Sequence, residues 1–249
     1  MEWYIYVLIV VAGIFAGFIN TLAGSGSLIT LPLLIALGLP ANIANGTNRI
    51  AILLQNVVGV SSFRHQKILD FRSSMKLVIP AVIGSIAGAF IAVDINEEIM
   101  RKTIGGLLLF MFFVILWKPS RWLKEQQGKA PLPYWLRAVI FFIIGVYGGF
   151  IQAGVGVFLL SGLVLGAGYD LVKANAVKVL IILVYTIFAL GVFILNDQVN
   201  YTYGFILAAG NMIGAFLGAK VAVKWGPKFV RYLLLVIIIE KKKKMLGLF

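Results

Sequence analysis

The chain has 249 residues, 61% of them hydrophobic and 12% charged, with apolar runs recurring along its whole length. Such a chain cannot cover its own surface in water and reads as a polytopic membrane protein. Its 22 Lys+Arg against 9 Asp+Glu would suggest a nucleic-acid partner in a soluble domain, but the bases sit mostly in the gaps between apolar runs and read as cytoplasmic anchors, so no nucleic acid is expected.

With no cysteine and a single histidine, His65, the sequence excludes disulfides, thiolate metal sites, a Cys nucleophile and a His cluster. Neither a metal nor a cofactor is expected. The start, Met-Glu-Trp, has no basic n-region and no small-residue cleavage site, so the first apolar run is expected to remain as a span.

In chain order, the first run is Trp3 to Leu22, close to the roughly 20 residues a helix needs to cross hydrocarbon. The glycine loop Gly24-Ser25-Gly26-Ser27 follows, then Leu28 to Leu37, half that length and ended by Gly38-Leu39-Pro40. This short run cannot span alone and is expected to be a re-entrant half-helix. Full-length runs come next at Ala44 to Phe63, Met75 to Val93 and Ile99 to Trp117, and Lys118 to Pro133, rich in Lys, Gln and Pro, resembles a linker. The pattern then recurs: a long run Tyr134 to Ala153, the loop Gly154-Val155-Gly156-Val157, a short run Phe158 to Leu165, long runs at Ala174 to Leu195 and Tyr203 to Val223, and a last one beginning near Val230.

The recurrence is a duplication. Gly24, Gly26, Gly38, Asn45, Gly84, Gly88 and Arg101 stand opposite Gly154, Gly156, Gly168, Asn175, Gly214, Gly218 and Arg231, each pair at the same offset, 154 − 24 = 130. Upstream, Gly17-Phe18-Ile19-Asn20 matches Gly149-Phe150-Ile151-Gln152 at 149 − 17 = 132, which assigns two extra residues to the first copy beside its loop. The expected fold is therefore an all-α polytopic membrane protein of two repeats, residues 1–120 and 134–249, joined by a cytoplasmic linker at 121–133. The bases at Arg64 to Lys76, Lys118 to Arg137 and a turn near Lys220 to Arg231 place those segments in the cytoplasm, and the acidic turns Asp94 to Glu98 and Asn196 to Asn200 outside. If each long-plus-short pair enters and leaves on one side, three spans remain per copy. That odd number inverts one copy relative to the other and leaves the N-terminus extracytoplasmic, with the glycine tips meeting near the midplane. The expected location is the cell (inner) membrane. Glu240 and Lys241 to Lys244 fall where the register predicts apolar span, a costly place for lysines.

Non-helical backbone at membrane depth survives only when buried in protein or lining a wet cavity. Each loop precedes a half-helix whose first N–H groups are free and whose dipole favours an anion. Ser25, Ser27 and Thr30 add hydroxyls in the first copy, and Pro32 is acceptable if Thr30 is the cap. The competing explanation, tight helix packing, is preferred for Gly84/Gly88 and Gly214/Gly218, which lie inside full spans; the ligand explanation is preferred for the loops. On the next helix Asn45, Arg49 and Asn56, at i, i+4 and i+11 with Asn48 beside them, form one polar stripe, matched by Asn175 and Lys178 in the second copy. Intramembrane Arg and Lys facing an interior are candidate functional groups, with snorkelling to the interface as the alternative. No acid is placed to neutralise them, so a bound anion would supply the charge.

The run Gly17-Phe18-Ile19-Asn20-Thr21-Leu22-Ala23-Gly24-Ser25-Gly26-Ser27, then Pro32, Gly38-Leu39-Pro40 and Ala44-Asn45-Gly46-Thr47-Asn48, with partners at Gly149 to Gly156 and Ala174-Asn175-Ala176-Val177-Lys178, resembles the TauE/SafE sulfite exporter family over essentially the whole chain. The resemblance implies a permease for sulfite, sulfonates or other sulfur-containing anions. Together these readings give an anion permease working by alternating access. Its substrate-binding set is Gly24, Ser25, Gly26, Ser27, Asn45, Asn48, Arg49, Gly154, Gly156, Asn175 and Lys178, with the anion nearer the first loop. Its partners are the anion and the lipid bilayer, with a homodimer left open. A different small anion, or a non-transporting membrane scaffold, is the alternative. An enzyme is not expected, because no nucleophile-base pair or metal cluster is visible.

Overall fold

A computed structural model describes residues 3–69, 71–116 and 131–245. The elements in order are α1 (Trp3–Ala23), α2 (Ser27–Ala36), α3 (Ala41–His65), α4 (Phe71–Asp94), α5 (Glu97–Leu116), α6 (Tyr134–Phe150), α7 (Val155–Ser161), α8 (Leu171–Leu195) and α9 (Tyr201–Met245), with a π-helical turn, Gly162–Gly166, prolonging α7. Among the described residues there is no strand. The linker expected at 121–133 lies outside the described residues up to residue 130.

Local chemistry accounts for several boundaries. Pro40 and Pro133 stand at the N-caps of α3 and α6, where a missing N–H costs nothing. Asp170 caps α8, accepting from the N–H groups of Val172 and Lys173 at 2.9 Å each. Helices α1, α8 and the stretches Ser74–Asp94 and Tyr201–Trp225 are long and apolar enough to cross a membrane. Helix α3 is long enough, yet the polar residues of its buried face lower its hydropathy, and α6 has only 17 residues. Large apolar side chains point outward on many helices, Phe15 at 61% exposure, Ile83 at 57% and Ile143 at 60%. In water such a surface would aggregate; against lipid it is matched to its solvent.

Helix packing repeats between the halves. The most extensive interfaces are α1 with α9 and α4 with α6, which exchange when one copy is mapped on the other, while α3 packs on α8. Glycines make these interfaces close. A Cβ on Gly84 would lie 2.1 Å from the Phe142 carbonyl oxygen, one on Gly88 2.0 Å from that of Val146, and one on Gly214 2.0 Å from that of Ile14. These spans therefore use glycine for packing, as small residues do between membrane helices.

The same contacts correct the register next to the loops. Gly84 and Gly214 differ by 130, but the residues they touch, Phe142 and Ile14, differ by 142 − 14 = 128, as do Val146 and Phe18 opposite Gly88 and Gly218. The extra residues thus belong to the second copy, not the first. Helix α1 stays helical to Ala23, directly before Gly24, whereas α6 stops at Phe150 and Ile151-Gln152-Ala153 form an inserted turn. Gln152 in that turn has φ +65°.

Two further expectations change. Helix α2 starts at Ser27 with Gly26 as N-cap, so Thr30 is not the cap and Pro32 lies inside the helix, past its first turn. The expected turn near Lys220 to Arg231 is absent: α9 runs on through Gly226-Pro227 as one helix of 45 residues. A proline removes one N–H from the ladder and need not end a helix whose flanks continue it. The side chains of the Lys241 to Lys244 run lie outside those described.

Candidate functional site

The two glycine loops meet. Gly24 and Gly154 take matching left-handed conformations, φ +74° and +73°, and a Cβ on Gly24 would fall 2.3 Å from the Cα of Gly156. At that contact only glycine fits on either side. Gly26 is equally enclosed, its missing Cβ 2.1 Å from the Ala16 carbonyl oxygen, and Gly154 faces the Met111 side chain. Some of the half-helix N–H groups expected to be free are engaged: Leu28 donates to the Ser25 carbonyl at 3.2 Å, Ile29 to Gly26 at 2.9 Å and Val157 to Gly154 at 3.0 Å. Tight turns, instead of extended caps, lead into these helices.

Around the tips lies a buried polar layer drawn from both copies. Asn45, Asn48, Arg49, Asn175 and Lys178 are 0–1% exposed, so neither cation snorkels. The Arg49 guanidinium donates to the carbonyls of Gly148 (3.2 Å), Gly149 (2.6 Å) and Phe150 (3.4 Å) and to Gln152 Oε1 (3.3 Å). It also stacks on the Phe193 ring at 4.4 Å. Lys178 Nζ reaches the carbonyls of Asn20 (3.0 Å) and Thr21 (2.8 Å) and Asn175 Oδ1 (2.7 Å). Each cation therefore closes the last turn of the long helix belonging to the other copy, where orphan carbonyls and the negative end of the dipole favour positive charge.

The remaining predicted residues join this layer. Asn48 accepts from Thr30 Oγ1 at 2.7 Å and donates to Ser27 Oγ at 3.3 Å, and Asn45 donates to the Phe150 carbonyl at 2.7 Å. Ser25 is 9% exposed at the tip. Structure adds members that the stripe did not identify. Asn20 and Asn211 both donate to Gln55 Oε1, at 3.3 and 3.2 Å, and Gln152 donates to Thr186 at 3.4 Å. A lone Asn within the apolar run Tyr203 to Val223 was the signal for Asn211.

Several buried atoms have no hydrogen-bond partner. Among them are the donors Arg49 Nε, Asn175 Nδ2 and the Tyr185 hydroxyl, and the acceptors Asn45 Oδ1, Asn56 Oδ1 and Asn211 Oδ1. The Tyr185 hydroxyl faces Gly148, where a Cβ would lie 2.9 Å away, and Gly148 is itself a partner of Arg49. Among the described residues, the buried charged side chains are Arg49 and Lys178, with no carboxylate.

Residues 9–239 match the family described as Sulfite exporter TauE/SafE. The chain belongs to the TauE/SafE sulfite exporter family. Relatives of this TauE/SafE protein include a probable membrane transporter protein of Haemophilus influenzae, 28% identical over 94% of this chain and 91% of its own length. The ORF9 probable membrane transporter protein of Sinorhizobium is 24% identical over 99% and 94%, and YfcA of Escherichia coli, likewise a probable membrane transporter protein, is 28% identical over 93% and 86%. No solved structure matches the chain. As a TauE/SafE member it is a membrane transporter.

Proposed function

We propose that the protein is a permease for sulfite or a related sulfur-containing or organic oxyanion of the sulfonate type. It works by alternating access between two inverted-topology repeats, each opening with a re-entrant hairpin and the first followed by three spans, an odd number, in the cell (inner) membrane. The observation that carries this reading is the buried pair of cations, Arg49 and Lys178, with no buried carboxylate among the described residues. Carbonyl dipoles hold the two cations in the closed arrangement but do not cancel their charge. An oxyanion entering the layer would meet Arg49 Nε, Asn175 Nδ2 and the Tyr185 hydroxyl as unused donors.

The glycine tips, Gly24 to Ser27 and Gly154 to Gly156, act as the gate in this scheme. Their backbones touch when closed, and a hairpin that swings away exposes the layer to one side. Because Ser27 and Thr30 are already paired with Asn48, and two of the three unused donors, Arg49 Nε and the Tyr185 hydroxyl, lie toward the end of α6 while Asn175 Nδ2 sits beside Lys178 at the end of α1, the anion belongs nearer the second tip than the first. Reconstitution into vesicles loaded with a sulfite-sensitive dye tests the reading. Saturable sulfite entry, competed by a sulfonate and lost in Arg49→Lys, is the expected result. Wild-type vesicles that move neither sulfite nor a sulfonate would overturn it, and entry of a different small anion alone would leave only the permease part standing.

A further inference from the structure

We propose that the groove between the C-terminal half of α3 and the middle of α9 is a binding site for an anionic phospholipid of the cytoplasmic leaflet. The groove has a volume of about 640 Å³ and is graded along its length. Val57, Val58 and Phe216 line one end. Val57 is 48% and Phe216 43% exposed, and apolar side chains so exposed within spanning helices face acyl chains, not an aqueous path.

The other end of the groove is polar, lined by Ser61, Ser62, His65, Gln66 and Lys220. Lys220 lies 19 residues beyond the start of α9, about 28 Å at 1.5 Å per residue, which is headgroup level on the side opposite Tyr201. His65 ends α3 on that same side, next to Arg64 and the basic turn that the positive-inside bias assigns to the cytoplasm. Lys220 Nζ rests over the Phe216 ring at 4.2 Å, and among the described residues it has no ion-pair partner. An uncompensated ammonium beside hydroxyls, continuous with an apolar trough, is complementary to a phosphate headgroup with its chain and poorly suited to a small hydrated anion.

The duplication supplies an internal comparison. At offset 130 the groove positions Val57, Val58, Ser61, Ser62, His65, Phe216 and Lys220 correspond to Ile187, Phe188, Gly191, Val192, Leu195, Ile86 and Phe90. Apart from Gln66, whose counterpart is Asn196, every polar group of the lining is replaced by an apolar one or by glycine, and Leu195, in the place of His65, is 84% exposed. The polar mouth is therefore specific to one end of the molecule. Shared fold alone does not require it.

Native mass spectrometry of the full chain, released from nanodiscs containing phosphatidylglycerol or phosphatidylcholine, tests the site. Wild type should retain phosphatidylglycerol in preference to phosphatidylcholine. Lys220→Gln should retain about fivefold less, the effect of one lost interfacial charge, while Lys76→Gln, which removes an exposed charge outside the groove, should behave as wild type. Equal retention of both lipids, no change in Lys220→Gln, or an equal loss in Lys76→Gln would each overturn the proposal, as would displacement of the lipid by millimolar inorganic phosphate. A photoactivatable phosphatidylglycerol on the wild type keeps the test decisive if Lys220→Gln fails to fold: crosslinks should fall on Val57, Val58 or Phe216, and crosslinks confined elsewhere would refute the site.

Discussion

Replacing Arg49 separates the structural part of the buried layer from its transport role. Arg49→Ala leaves the carbonyls of Gly148, Gly149 and Phe150 and the Gln152 amide without their cationic partner, and removes the guanidinium from the Phe193 ring. A buried acceptor stripped of its partner costs about 1–3 kcal/mol. Several such losses at one helix end, shared with whatever water can enter, put the destabilisation at about 3–5 kcal/mol. Loss of flux in the alanine variant alone would therefore not identify a substrate contact. Arg49→Lys retains the charge and can satisfy the nearest carbonyls, but it gives up the planar fork. Expected in denaturant titrations of the detergent-solubilised protein is a large loss for Arg49→Ala and a loss of no more than about 2 kcal/mol for Arg49→Lys, with sulfite flux abolished in both. An alanine variant within about 1 kcal/mol of wild type would refute the capping geometry; a lysine variant with undiminished flux would refute the role of the fork.

Three other outcomes follow from the same geometry. Gly24→Ala adds a Cβ 2.3 Å from the Gly156 backbone at a left-handed position and should abolish flux, whereas Gly38→Ala, at φ +92° with nothing within 4 Å, carries only the conformational cost of about 1–2 kcal/mol; equal defects in a parallel flux and stability measurement would argue against tip contact. Tyr185→Phe deletes a buried hydroxyl that has no partner, so thermal unfolding should be unchanged or slightly improved while KM for the anion rises about tenfold, about 1.4 kcal/mol; an unchanged KM would remove Tyr185 from the site. The exposed pairs Arg101–Glu97 and Lys102–Glu98 should contribute less than about 0.5 kcal/mol each in double-mutant cycles.

Much of the fold could be read in the sequence because membrane spans are signalled by length and hydropathy, and because duplicated glycines mark where backbones touch. Gly24 and Gly154, chosen on spacing alone, adopt matching left-handed turns, and the Asn45, Asn48 and Arg49 stripe is buried as one face. What failed had local causes. The Gly-Phe-Ile match at offset 132 lies one helical turn out of the packing register, since neighbouring turns of a glycine-rich helix look alike in sequence. The condition that would put Pro32 in a first turn, Thr30 as cap, is not met, because α2 starts at Ser27 and holds Pro32 in its interior. No pattern in one dimension indicates that carbonyls of α6 and α1 would receive Arg49 and Lys178, because those partners are main-chain atoms about 100 and 158 residues away.

Arg49 and Lys178 are not equivalent under the repeat, since 178 − 49 = 129, yet they hold equivalent carbonyls: Gly148 and Gly149 for one, Asn20 and Thr21 for the other, each pair offset by 128. The two helix ends are thus closed alike by different cations, and their surroundings diverge. At the α1 end Asn20 meets Gln55 and Asn211 in a bonded carboxamide cluster; at the α6 end the place of Asn20 is taken by Gly148 and that of Gln55 by Tyr185, whose hydroxyl is unpaired. The α6 end retains two unused donors, Arg49 Nε and the Tyr185 hydroxyl, against Asn175 Nδ2 alone beside Lys178 at the α1 end, so ligand should be felt unequally. Hydrogen exchange in nanodiscs should show amides at 148–153 gaining protection with sulfite while those at 20–25 change little. Equal protection of both segments would place the anion on the pseudo-symmetry axis and sink the assignment to the second tip.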